Sequence, residues 1–288
     1  MPELPEVHAL ASDLDARLRG RVIDRLQLVA FPALKSYDPP VEALSGERIT
    51  GVTRHGKFLD LATDGRLHLV MHLARAGWIR WRAAAPKTSG RPGSGPLAAR
   101  LVLRDDGAGF DVTEAGTRKS LAIYLVRDPA EVPGIARLGP EVLDPDFTLE
   151  RFRAILAGQG RAQLKGVLRD QSVIAGIGNA YSDEILHAAR MSPYKPAAMG
   201  DEDSAALYEA LRGTLADAVA RAEGLPASEL KAEKKSTLRV HGRFGEPCPV
   251  CGGRIEQVVF ADRSFQYCPG CQTGGRKLSD RVLDRLLR

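Results

Sequence analysis

The sequence predicts a multidomain α+β protein: an N-terminal β-sandwich with a leading helix, a helical domain, and a small C-terminal zinc finger. Three observations carry that expectation. Hydrophobic spacing stays close to two through most of the first 130 residues, turns helical from Pro145, and all four cysteines fall in two Cys-x-x-Cys pairs within residues 248–271. A chain of 288 residues is long enough for more than one core.

Taken in order, residues 9–19 form a predicted helix, because Leu10, Leu14 and Leu18 recur at i,i+4 spacing and Gly20 follows. Short strand-like pieces come next, at 22–23, 26–29, 49–52, 58–61, 67–70, 78–81, 99–103 and 121–126, separated by Gly and Asp turns. Residues 83–96, rich in Pro, Gly, Ser and Lys, interrupt them as a loop excursion. Helices are expected at 147–157, 163–168, 179–189, 203–223 and 227–231. The expected division is 1–130 for the sandwich, 131–237 for the helical domain, 238–273 for the finger and 274–288 for a basic extension. Residues 278–288 have the pattern of a short amphipathic helix.

The formal charge is +5, but residues 231–288 hold twelve Lys/Arg against six Asp/Glu, so the final fifth accounts for the whole excess. Such a region suits a polyanion, although basic tails also occur without one. The opening residues lack a basic stretch followed by an apolar one, which excludes a secretory signal. No run approaches eighteen apolar residues, so no membrane span is expected, and the expected location is the cytoplasm.

Cys248-Pro249-Val250-Cys251 and Cys268-Pro269-Gly270-Cys271 give C-x2-C-x16-C-x2-C. Two such knuckles can close a tetrahedron of thiolates around one structural Zn²⁺, with no open position for catalysis. The competing assignment, redox dithiols, expects a βαβ surrounding that this sequence lacks. Arg263 falls in the turn between the pairs, placed either to clamp a phosphate or to face solvent.

Three stretches resemble a known family. Pro2-Glu3-Leu4-Pro5-Glu6-Val7 is similar to the N-terminus of the formamidopyrimidine-DNA glycosylase/endonuclease VIII (Fpg/Nei) family. The run from Lys165-Gly166-Val167-Leu168-Arg169-Asp170-Gln171 to Ala175-Gly176-Ile177-Gly178-Asn179-Ala180-Tyr181 resembles its helix–two-turn–helix signature. His241-Gly242-Arg243 through Cys271-Gln272 resembles its finger. The resemblance spans almost the whole chain.

It implies a bifunctional DNA glycosylase/AP lyase acting on duplex DNA with damaged bases or abasic sites. Pro2, once Met1 is removed, would attack C1′ with its amine; an α-amine of pKa near ~8 is substantially free base near neutrality. Glu3 would act as the acid, Glu6 in support, and Lys57 on the lesion's phosphate. Asn179 and Arg263 would grip flanking phosphates, with Lys165 a further candidate. The residues also allow duller roles: Glu3 and Glu6 as first-turn carboxylates, Lys57 as a hairpin lysine, Asn179 as a helix cap. The resemblance adds no cofactor beyond zinc, and one protomer suffices.

Three departures from the family pattern bear on substrate. Arg75 stands where an apolar wedge is usual, and residues 115–120 keep Arg118 but place Ser120 where phenylalanine would stack. Residues 224–239 lack the glycine-aromatic pattern of a loop covering an extruded 8-oxoguanine, which disfavours that substrate. Residues 274–288 continue past the finger with Arg281, Arg285 and Arg288, suited to DNA, a partner or solvent. The competing function is a damage-binding protein that has lost efficient excision.

Overall fold

The computed structural model describes residues 1–86, 95–260 and 263–279, Arg263 by its backbone alone. The expected excursion at 83–96 and the tail helix at 278–288 therefore lie partly outside the described residues; 278 and 279 are not helical. The chain divides into two compact units, Met1–Leu138 with Val219–Glu233, and Gly139–Ala218 with Lys234–Arg288.

The first unit opens with α1 (Leu4–Leu18). The helix begins five residues before the expected start at residue 9, because Pro5 is tolerated in a first turn whose N–H groups have no intrahelical partner. Leu10, Leu14 and Leu18 are all fully buried, as their spacing requires. Among the described residues eight strands follow: β1 (Ile23–Leu28), β2 (Ile49–His55), β3 (Phe58–Thr63), β4 (His68–His72), β5 (Gly77–Arg82), β6 (Leu97–Leu103), β7 (Gly109–Glu114) and β8 (Ala122–Val126). They make two antiparallel four-stranded sheets, ordered β1-β6-β7-β5 and β2-β3-β4-β8. Leu59, Leu61 and Leu69 of one sheet share a core with Leu101, Phe110 and Val112 of the other and with the leucines of α1.

Strand β7 is absent from the periodicity, since Gly-Phe-Asp-Val-Thr-Glu looks like a turn-rich edge. It is instead central, and every one of its residues is buried. Asp111 is tolerated there because Arg100 and Arg82 donate to its carboxylate at 2.6 and 2.8 Å. These hydrogen bonds, with desolvation opposing them, hold its pKa below the ordinary carboxylate value.

In the second unit, α2 (Leu149–Gln159), α3 (Leu164–Arg169), α4 (Asn179–Ala188) and most of α5 (Asp201–Ala222) enclose Phe147, Phe152, Leu168, Ile185 and Leu211. The turn from α3 to α4 is held by Gln171, which donates to the Ile177 carbonyl at 2.7 Å and accepts from the Gly176 N–H at 3.0 Å. The short helix expected at 227–231 is displaced to α6 (Leu230–Thr237), whose last four residues belong to this unit. A hairpin of β9 (Glu256–Phe260) and β10 (Arg263–Tyr267) and the short α7 (Pro269–Gln272) complete it. Among the described residues no helix is long and apolar enough to cross a membrane.

Candidate active site and metal centre

Pro2 directly precedes Glu3, the N-cap of α1, whose extended backbone (φ −121°, ψ −172°) turns the chain into the helix. Glu6 reaches back so that its Oε2 accepts the Glu3 N–H at 2.8 Å. Glu3 and Glu6 are both buried, at 1% and 2% exposure. The peptide nitrogen of Pro2 becomes an amine when Met1 is removed.

Lys57 follows Gly56 in the two-residue turn joining β2 and β3, closed by the His55–Phe58 pair. Gly56 has φ +54°, the positive value that a tight hairpin needs at its first central position. Lys57 is only 7% exposed. Across the β3–β4 ladder, His72 pairs with Phe58 and its ring lies 4.6 Å from the Phe58 ring. Burial first, and the Lys57 charge second, hold the His72 pKa down at about 4. His72 is therefore a neutral imidazole near pH 7, able to share a proton but not to carry a second positive charge beside Lys57.

Arg75 and Arg118 are both exposed. The loop carrying Arg75 closes with the Gly77 N–H donating to the Leu73 carbonyl at 2.8 Å. A Cβ at Gly77 would come within 2.1 Å of that same oxygen, so only glycine permits this closure. The loop carrying Arg118 is held by buried Glu114, whose Oε1 accepts the N–H groups of Ser120 and Leu121 at 2.7 and 3.0 Å.

In the second unit Lys165 points inward. Its Nζ donates to Asp183 Oδ1 at 2.5 Å, Ser182 Oγ at 2.8 Å and the Asn179 carbonyl at 3.2 Å. Asp183 uses its other oxygen to accept from the Gln266 N–H at 3.1 Å and to bond His241 Nδ1 at 2.6 Å. Glu184, next in α4, accepts three backbone N–H groups, from Arg239, Val240 and His241, at 2.8–3.0 Å. Asn179, the first residue of α4, donates its Nδ2 to the Ser264 carbonyl at 2.7 Å. A cavity of about 130 Å³ adjoins Lys165, Arg169, Asn179 and Ser264. Arg263 begins β10 opposite Phe260; its side chain lies outside the described residues.

The four cysteine sulfurs lie within 4.8 Å of one another. Two of the separations are 3.9 Å (Cys248–Cys271) and 3.3 Å (Cys251–Cys268). A Zn–S distance of ~2.3 Å sets the sulfurs of a regular tetrahedron roughly 3.8 Å apart, so the cluster fits a metal ion of that kind.

Residues 1–119 match the formamidopyrimidine-DNA glycosylase N-terminal domain, 138–228 the H2TH domain of that glycosylase, and 245–274 the zinc finger found in FPG and IleRS. The formamidopyrimidine-DNA glycosylase of Heliobacterium modesticaldum is 36% identical over 282 residues, covering 94% of this chain and 100% of its own. The chain belongs to the formamidopyrimidine-DNA glycosylase/endonuclease VIII family. The crystal structure of the MutM (Fpg) protein of Thermus thermophilus aligns at TM-score 0.78 and 33% identity, over 96% of this chain and 100% of that one. The Lactococcus lactis glycosylase, bound to DNA containing an AP site, aligns at TM-score 0.79 and 26% identity, over 94% and 99%.

This family member also shows what sequence reasoning passed over. His72 carries no local signal in the sequence of its burial beside Lys57. Asp183 and Glu184 were given no role by sequence reasoning, yet both are buried. Within residues 224–239, Ala227 and Leu230 pack against the first unit's core. Trp78 Nε1 donates to the Ala227 carbonyl at 2.9 Å, and the Lys231 ammonium lies 4.4 Å over the Trp78 ring.

The His72 geometry predicts a pH effect. Unfolded His72 takes up its proton as pH falls through 6.5, whereas the folded form resists until about 4. Between those values the unfolded chain binds more protons, so this contribution to stability is intact above 6.5 and declines as pH falls. His72→Gln should flatten urea-derived stability against pH in that window by up to about 1.4 kcal/mol per pH unit. Parallel curves for the two proteins would refute the assignment.

Proposed function

We propose that this chain is a bifunctional DNA glycosylase/AP lyase that removes damaged bases from duplex DNA. What carries the proposal is Pro2 set against a helix start with two buried carboxylates, Glu3 and Glu6. After Met1 is removed and the damaged nucleotide is extruded from the stack, the Pro2 amine bonds to C1′ as the glycosidic C1′–N bond breaks, and the proton the amine sheds passes to the departing base. Glu3 gives its proton to the ring oxygen O4′, the C1′–O4′ bond opens, and the nitrogen lone pair completes an iminium. Loss of a C2′ proton then expels the 3′ phosphate by β-elimination, and δ-elimination can follow.

Lys57 holds the lesion's phosphate, and Asn179 and Arg263 the flanking ones; Arg75 and Arg118 fill the gap left by the extruded base. Lys165, facing Asp183, orders the start of α4 beneath those phosphates. The Cys₄ cluster holds one structural Zn²⁺, consistent with the zinc finger named for residues 245–274. The protein works as a monomer in the cytoplasm, on nucleoid DNA. The packed 224–239 segment supports ring-opened purines, oxidised pyrimidines or abasic sites over 8-oxoguanine. The exposed, polar loop at Ser120 favours one alternative, a damage-binding protein with weak excision.

Borohydride trapping on duplexes carrying an abasic site, ring-opened guanine, dihydrouracil, 8-oxoguanine or no lesion decides between them, with Met1 removal checked by mass. Trapping on a damaged base should fall at least ~100-fold in Pro2→Gly and in Glu3→Gln. Adducts at abasic sites alone reduce the protein to a lyase. Salt-sensitive binding with no adduct anywhere leaves only the binding protein.

A further inference from the structure

His187, on α4, is a buried imidazole that none of this chemistry uses; it is 2% exposed. Its Nε2 lies 3.3 Å from Cys248 Sγ, while its Nδ1 is buried with no hydrogen-bond partner among the described residues. These two facts select a tautomer. A proton on Nδ1 would bury an unsatisfied N–H and turn the Nε2 lone pair toward a thiolate. A proton on Nε2 makes a charge-assisted N–H···S bond and leaves only an acceptor unmet. The imidazolium form would again bury an unmet Nδ1–H.

We propose that His187 is a positioning residue of the metal centre: its Nε2–H donates to the Cys248 thiolate and fastens the first cysteine knuckle to α4. The inference rests on reading the four cysteines as a metal site. Four thiolates around a divalent ion carry a net charge of −2, and donors to sulfur spread it. Cys268 receives the Cys271 N–H and Cys251 the Gly253 N–H, both from within their own knuckles. Cys248 is buried away from water at 2% exposure, and His187 offers it a side-chain donor from outside the finger. Partners that orient a ligand in this way typically change metal affinity by roughly 10–100-fold.

Zn²⁺ affinity of the full chain, measured by chelator competition, should weaken roughly 10–100-fold in His187→Met and stay close to wild type in His187→Gln, whose amide keeps a donor. With Co²⁺ in place of Zn²⁺, the thiolate-to-metal charge-transfer band should shift in His187→Met and return in His187→Gln. Equal affinities and unchanged bands in both variants would overturn the proposal. Wild-type protein loaded with ¹¹³Cd gives a test free of folding defects: Hε2 should show scalar coupling to the metal through sulfur, and an Nδ1–H tautomer would refute it. Failure of the wild type to bind any of these ions would instead overturn the metal site itself.

Discussion

Asp183→Ala should destabilise the second unit by about 3–5 kcal/mol, because it strands a buried ammonium. Lys165 and Asp183 are 5% and 1% exposed, and the 2.5 Å contact between them is the charge balance of the α3–α4 pair. Alanine at 183 removes three interactions at once: the ion pair, the bond to His241, and the acceptor for the Gln266 N–H. The last two join α4 to the finger segment, so the damage should spread from the helices into β10. A loss of that size lowers the midpoint of thermal unfolding by on the order of 10 °C. Lys165→Met should destabilise in the same direction by leaving Asp183 uncompensated. The double variant Lys165→Met with Asp183→Leu should be milder than the sum of the singles, since replacing both charges avoids a stranded one. Calorimetry of the four proteins checks this; additive losses would show that the two groups are not coupled.

What could be read from the sequence were features that depend on local spacing. Leu10, Leu14 and Leu18 declare α1 because a helix repeats every 3.6 residues wherever it packs. The cysteine pairs declare a metal cluster because a knuckle is a local structure. The family's three parts were legible for the same reason, since each rests on a short contiguous motif. What escaped depends on partners distant in sequence. Asp111 looks like a turn residue until Arg82 and Arg100 are brought alongside it. Glu184 looks solvated until residues 239–241, more than fifty positions later, offer it three N–H groups. His72 is an ordinary histidine until the β3–β4 register sets it over Phe58. Polar groups inside a fold carry no signal of their own, because the same residue types dominate the surface.

Removal of the metal should unfold the cysteine knuckles and cost the protein most of its DNA affinity. The core beside the cluster consists of Val240, Ile255, Cys248 and Cys268, with Cys271 against it, so two of its four buried members are cysteines of the cluster. Without a bound ion, four thiols within 4.8 Å of one another contribute little, and two apolar side chains cannot hold the turns around Gly252 and Gly270. The β9–β10 hairpin should resist longer, since Val258, Phe265 and Tyr267 pack with Tyr194 and Leu278 in a cluster of their own. Hydrogen exchange after chelation should therefore show protection lost first at 247–255 and 268–273, and only partly at 256–267. The hairpin begins β10 with Arg263, so loosening its base should weaken binding to abasic-site DNA by at least ~10-fold at fixed salt. Cys268→Ser should give the same pattern without a chelator. If chelated protein kept its protection in both knuckles and its DNA affinity, the cysteines would not be a metal-held structure. Loss of protection with DNA affinity intact would keep the metal but remove the finger from the DNA-binding surface.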